Sequence, residues 1–158
     1  MTCTIRTHSE SETVAVGRRM GAMLEPGDVV ALTGDLGSGK TTLTKGIASG
    51  LGVESEVASP TFTLIHEHKS RMPLYHIDLY RIESEELVGE LGLDEYLYGH
   101  GVTVIEWAER LRTSLPATAL EVHLSPIDDT IRQIQLTASS PRWTVILQEL
   151  TSDARSGD

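Results

Sequence analysis

Residues 28–51 read Asp28-Val-Val-Ala-Leu-Thr33, then Gly34-Asp-Leu-Gly-Ser-Gly39, then Lys40-Thr-Thr-Leu-Thr-Lys-Gly-Ile-Ala-Ser-Gly-Leu51. The first block is a short apolar, β-branched run, the pattern of a buried strand. The second is a glycine turn. The third places Leu43, Ile47 and Leu51 on one helical stripe that ends at Gly50 or Gly52. Strand, glycine turn and helix in that order make a βα unit and predict a layered α/β domain. Residues 34–41 also match G-x-x-x-x-G-K-[ST] at every fixed position. Glycines let the backbone curl until successive N–H groups point at phosphate oxygens, and the helix aims its positive end at the same place. In this arrangement Gly37, Ser38 and Gly39 form the cradle. Lys40 reaches the β- and γ-phosphates and the Thr41 hydroxyl ligates Mg²⁺, while Thr42 is either an α-phosphate contact or a plain first-turn threonine.

Ser9 and Glu12 fit a capping box ahead of a first helix whose Val16, Met20, Met23 and Leu24 face the core. A short strand at Thr4-Ile5-Arg6 precedes it. Residues 57–68 read as a loop running into a strand, 73–78 as a strand, 84–98 as one or two helices, and 102–105 as a second buried strand. Residues 120–124 and 131–136 flank a turn, which predicts an antiparallel hairpin. Residues 143–150 suggest one more strand, and the polar segment 151–158 a frayed tail. The expected architecture is a phosphate-loop α/β domain over 1–150, with a mixed sheet and a C-terminal antiparallel hairpin.

A phosphate loop needs a second acidic group to hold its metal, commonly at the carboxyl end of a neighbouring buried strand. Glu106 ends Val-Thr-Val-Ile and Asp78 ends Leu-Tyr-His-Ile. Glu106 is the favoured metal group. Asp78 is a second member, on the metal through water or orienting the attacking water. Ser59-Pro60-Thr61 can form a loop that senses the γ-phosphate, or an ordinary capped turn. His66, His68, His76 and Asp78 make an H-x-H…H-x-D pattern, for which a transition-metal site and plain structural histidines are both open. Trp107 is core, a lid over the nucleotide or a partner contact.

Composition narrows the function. The 158 residues carry 13 Lys+Arg against 23 Asp+Glu, a formal net charge of −10. Gripping nucleic acid unaided calls for a basic face, so a nucleic-acid role would need a partner to supply the grip. Aromatic residues are 4% of the chain, too few for base-stacking platforms. One cysteine, Cys3, excludes an internal disulfide. No apolar run approaches the ~20 residues of a membrane span, so a cytoplasmic protein is expected. The chain has no asparagine. The Asn-Lys-x-Asp reader of Ras-like GTPases therefore cannot exist in its usual form, which favours ATP. Arg110 and Arg112 follow the Glu106 strand without a clear lid insertion. A small-molecule kinase and a nucleotide-gated interaction module stay open as alternatives.

GDLGSGKTTLTKG at 34–46, SPTFTL at 59–64, YHIDLYR at 75–81 and IEW at 105–107 occur in one order. Together they resemble the TsaE family, bacterial ATPases required to make threonylcarbamoyladenosine in tRNA. The resemblance implies an ATP/ADP and Mg²⁺ site at Lys40, Thr41, Thr42 and Glu106, with Asp78 important for activity and Trp107 beside the nucleotide. It adds Thr13, near the adenine, and Arg132 of the hairpin as further nucleotide contacts. It implies TsaB and TsaD as partners whose complex enables hydrolysis, with the threonylcarbamoyl transfer performed by TsaD. The departures are small: Ser38 stands where alanine is common, and Ala108 where proline or glycine is frequent.

Overall fold

The computed structural model describes residues 1–57, 65–82, 84–111 and 115–156. Seven strands form one mixed sheet: β1 (Thr2–Thr7), β2 (Val29–Thr33), β3 (Ile65–His68), β4 (Leu74–Asp78), β5 (Val102–Glu106), β6 (Leu120–Pro126) and β7 (Arg132–Thr137). Their order across the sheet is β1-β7-β6-β2-β5-β4-β3. The parallel centre is β6, β2, β5 and β4, while β7, β1 and β3 are antiparallel to their neighbours. The expected mixed sheet and hairpin are therefore present, with β1 closing the edge beyond the hairpin.

Two cores lie on opposite faces of the sheet. On one, helices α1 (Glu10–Ala22), α2 (Lys40–Leu51) and α5 (Thr144–Ser156) bury Met20, Leu43, Ile47 and Leu147 against Val30, Leu32, Val104 and Val122. On the other, Val88 of α3 (Glu85–Glu90) and Leu97 of α4 (Asp94–Leu97) pack with Val29, Ala31, Ile77 and Ile105. Residues alternate between the faces along β2 and β5, as a doubly covered sheet requires.

Helix α1 begins with half of the expected capping box. The Glu12 N–H donates to Ser9 Oγ at 3.1 Å, while the Glu12 carboxylate takes the N–H of His8 rather than that of Ser9. Helix α2 stops at Gly52, whose φ of 86° is left-handed. The Gly52 N–H donates to Ser49 O at 3.1 Å and the Val53 N–H to Ala48 O at 2.9 Å, a Schellman closure. Gly50 has a different task. A Cβ on it would lie 2.2 Å from Arg18 O, and one on Gly46 would lie 2.2 Å from Val14 O. Helices α1 and α2 thus approach backbone to backbone, which seats the start of α1 above the phosphate loop.

The C-terminal expectation is corrected. Residues 144–156 form helix α5 rather than a strand, and the helix runs through the position where a frayed tail was expected to begin. Trp143, Ile146, Leu147 and Leu150 are all buried, at spacings of three, one and three residues. That is a helical stripe, which the apolar cluster Val145-Ile-Leu147 disguised as strand. Pro141 starts the turn ahead of it, and the Arg142 N–H donates to Ser140 Oγ at 3.4 Å. None of the described helices is long and apolar enough to cross a membrane.

Candidate functional site

The carboxyl ends of β2, β5 and β4 converge on the turn between β2 and α2, the place where open α/β sheets bind ligands. Three glycines carry that turn, with left-handed or extended positive φ at Gly34 (139°), Gly37 (81°) and Gly39 (107°). A Cβ on Gly34 would lie 2.4 Å from Leu124 O, so only glycine lets the loop pass under β6. The loop ends on the first turn of α2, where the helix leaves N–H groups free of intrahelical partners.

The Lys40 ammonium lies inside this curl. It donates to Gly34 O at 2.5 Å and to Asp35 O at 2.9 Å, and it sits 4.0 Å from the centre of the Trp107 ring. Burial pulls its pKa below the ordinary lysine value, against the opposing pull of Glu109, Glu106, Asp78 and Asp35. Trp107 is the one non-glycine with positive φ among the described residues, at φ 60° and ψ 41°. A left-handed tryptophan is strained, which suits a residue held in place by its contacts. Its ring stacks 5.0 Å from that of Tyr80 and covers Lys40.

The two acidic candidates stand side by side. In the parallel pairing of β4 with β5, Asp78 is the register partner of Glu106. Both are nearly buried, at 6% and 2% exposure. Glu106 Oε1 accepts the Thr41 hydroxyl at 2.8 Å, and Glu106 Oε2 meets His76 Nε2. Asp78 Oδ1 accepts the Tyr80 N–H at 2.9 Å, which bends the chain away from β4. Two carboxylates and a threonine hydroxyl are hard oxygen donors of the type Mg²⁺ takes alongside phosphate oxygens. They fit that ion, and Thr41 and Glu106 could hold it. The histidine pattern does not make a second metal site. Among the described residues, no group of three or more His, Cys, Asp or Glu can hold an ion. His68 Nδ1 pairs instead with Ser55 Oγ at 2.9 Å.

One cavity of about 820 Å³ gathers nearly all of the sequence-derived residues: Gly37, Gly39, Lys40, Thr41, Thr42, Asp78, Glu106, Trp107, Thr13 and Arg132 line it. Ser38 lies behind the loop, fully buried, with its Oγ 3.4 Å from Lys40 Nζ. Ser59, Pro60 and Thr61 fall outside the described residues, as does Arg112. Arg110 donates to Ile82 O at 3.1 Å and is not turned toward the cavity.

Further residues join the lining that the sequence does not mark for the site. Ser9 and Glu10 come from the start of α1, Tyr80 and Arg81 from beyond β4, and Asp129 and Thr130 from the β6–β7 turn. Arg132 bridges that turn to the phosphate loop, donating to Asp128 O at 2.8 Å and Gly37 O at 3.4 Å. Glu109 accepts the Gly34 N–H at 3.4 Å, tying the segment after β5 to the start of the loop. Tyr80 and Arg81 stood within a quoted motif. Glu109 carried no local signal, because its contact spans 75 residues.

Fold and site together define a phosphate-loop α/β domain with a paired-carboxylate strand end. A family model described as "Threonylcarbamoyl adenosine biosynthesis protein TsaE" matches residues 7–134. A Bacillus subtilis protein named tRNA threonylcarbamoyladenosine biosynthesis protein TsaE is 45% identical over 147 residues, 92% of each chain. Its namesake in Treponema pallidum is 43% identical, covering 85% of this chain and 98% of that protein. The crystal structure of Bacillus subtilis YdiB superposes with a TM-score of 0.83 at 39% identity, over 97% of this chain and 96% of that one. The chain belongs to the TsaE family.

Proposed function

We propose that this protein is a Mg²⁺-dependent ATPase that serves tRNA threonylcarbamoyladenosine biosynthesis as an accessory subunit, acting with TsaB and TsaD. The observation that carries the reading is the convergence, in one cavity, of a phosphate-loop lysine, a helix-start threonine and a buried pair of strand-end carboxylates. The cavity volume lies within the range of small-molecule sites. The names of the relatives supply the pathway.

In this reading the main-chain N–H groups around Gly37–Thr42 receive the phosphate oxygens. Lys40 gives up its contacts to the loop carbonyls and neutralises charge on the β- and γ-phosphates. Thr41 and Glu106 hold Mg²⁺, which when bound screens the triphosphate and polarises its γ-phosphoryl group. Asp78 orients the attacking water. Thr13 and Arg132 close the cavity from α1 and the β6–β7 turn and contact the base and sugar of ATP or ADP. The chain's net charge of −10 leaves tRNA contact to the partners.

The test is phosphate release from ATP by the purified chain, alone and with TsaB and TsaD. Stimulation by the pair, lost in Lys40→Ala, is expected. Turnover unchanged by the partners would refute the accessory role, and unaltered hydrolysis by Lys40→Ala would refute the site. Transfer of the γ-phosphate to a metabolite instead of water would identify a kinase.

A further inference from the structure

His76 is a fully buried polar ring at the centre of β4. It lies on β4 between Leu74 and Asp78, two residues from each, and its register partner on β5 is Val104. Its exposure is 0%, like that of Leu74 and Val104. Its register partner on β3 is His66. The His76 ring carries a buried nitrogen, Nδ1, that has no hydrogen-bond partner among the described residues. Such an atom is costly to bury.

The other nitrogen explains the arrangement. His76 Nε2 meets Glu106 Oε2, while Glu106 Oε1 takes the Thr41 hydroxyl at 2.8 Å. With Glu106 as the acceptor, the proton of this contact sits on Nε2. In the neutral ring this leaves the orphaned Nδ1 a bare acceptor rather than a stranded N–H. Each oxygen of Glu106 then has one protein partner, one from β4 and one from α2. The plane of the carboxylate is fixed from both sides. Groups that orient a metal-holding side chain in this way commonly alter metal affinity by 10–100-fold.

We propose that His76 is the positioning residue of Glu106: its Nε2–H sets the carboxylate so that Oε1 is presented at Thr41, where Mg²⁺ is held in the proposed function, on which this inference rests. Histidine is suited to the task because its Nε2 sits four bonds from Cα, the reach needed from β4 to β5. Glutamine places an amide N–H at the same reach. Asparagine is one bond short, and leucine keeps bulk without a donor.

Two measurements test this on the full chain. The first is ¹⁵N-histidine NMR of the wild type without nucleotide, which reads the ring tautomer independently of any ATP chemistry. The Nε2–H form at His76 is expected, and an Nδ1–H form would overturn the proposal even if ATP binds and is hydrolysed. The second is the Mg²⁺ concentration giving half-maximal enhancement of ATP binding. His76→Leu and His76→Asn should raise it at least tenfold, while affinity for ATP in excess EDTA changes less than threefold. His76→Gln should return it to within about threefold of wild type. Wild-type Mg²⁺ dependence in a folded His76→Leu protein would overturn the proposal, as would a Gln variant no better than Leu. Should the Leu variant not fold, the Gln rescue and the tautomer still decide. Absence of any Mg²⁺-dependent ATP binding in the wild type would remove the metal role and the proposed function together, even with the Nε2–H tautomer observed.

Discussion

Gly46→Ala should destabilise the protein by about 2 kcal/mol, although alanine is the better helix former. An ideal Cβ at residue 46 lies 2.2 Å from Val14 O and 2.9 Å from the Gly17 Cα. Both atoms are backbone, so no side chain can swing aside. Relieving the clash requires α1 to move from α2 by about 1 Å, and a gap of that size forfeits a quarter to a half of each dispersion contact across the interface. Overpacking of this kind costs about 3 kcal/mol at the upper end of its usual range. The helix propensity gained on replacing glycine returns about 1 kcal/mol. Gly89→Ala is the control, because residue 89 lies in α3, is exposed, and a Cβ there meets nothing within 4 Å. It should be neutral or stabilising by up to about 1 kcal/mol. Urea unfolding of both variants measures the difference, and a thermal midpoint lowered by about 4–8 °C for Gly46→Ala is the parallel readout. ATP affinity should fall as well, since α1 carries Ser9, Glu10 and Thr13 of the cavity wall. A Gly46→Ala variant within 0.5 kcal/mol of wild type, by the usual margin for inert surface changes, would refute the close approach of the two helices.

Three further outcomes follow from particular contacts. Burial, with His76 and His66 nearby, holds the His68 pKa below the ordinary histidine value. The unfolded chain therefore takes up this proton first as pH falls, so stability should drop from about pH 6.5 down toward the folded pKa. Urea midpoints at successive pH values should show a shallower drop in His68→Gln, and an unchanged drop would contradict it. Trp143 is buried with its indole N–H on Thr118 O at 2.7 Å, whereas Trp107 borders the cavity. Nucleotide-dependent fluorescence change should vanish in Trp107→Phe, and its persistence there would place the binding site elsewhere. Arg142 donates to Asp28 Oδ2 at 2.8 Å and to Met23 O at 3.1 Å, fastening the turn before α5 to the end of α1. Arg142→Ala should cost about 1–3 kcal/mol in a denaturant titration, because nearly buried Asp28 loses its cation. A change under 0.5 kcal/mol would show that the clasp carries no stability.

The parts of the molecule written in local periodicity were legible from the sequence. The run 28–51 specified β2, the loop and α2, because each of those patterns closes within a few residues. Glu106 and Asp78 were found as strand ends, but their side-by-side pairing depends on β4 and β5 being neighbours in register. The glycines at 17, 21, 46 and 50 form two i, i+4 pairs, a signal present in the sequence whose meaning needs both helices in view. His76 was weighed as a metal ligand because strand residues two apart share a face. Its partner Glu106 is 30 residues away, and only the parallel pairing reveals it. Residues 143–150 read as a strand because a short apolar cluster has no period of its own, and the helical stripe shows only with the burial of Leu150 beyond it.

The central claim is tested most directly by calorimetric titration of the purified chain with ATP in the presence of Mg²⁺. A saturable one-to-one isotherm is expected, weakened at least tenfold, or about 1.4 kcal/mol, in Lys40→Ala. No saturable heat at about 1 mM nucleotide in a folded sample, or equal affinity in the two proteins, would contradict the claim that residues 34–42 form a triphosphate cradle.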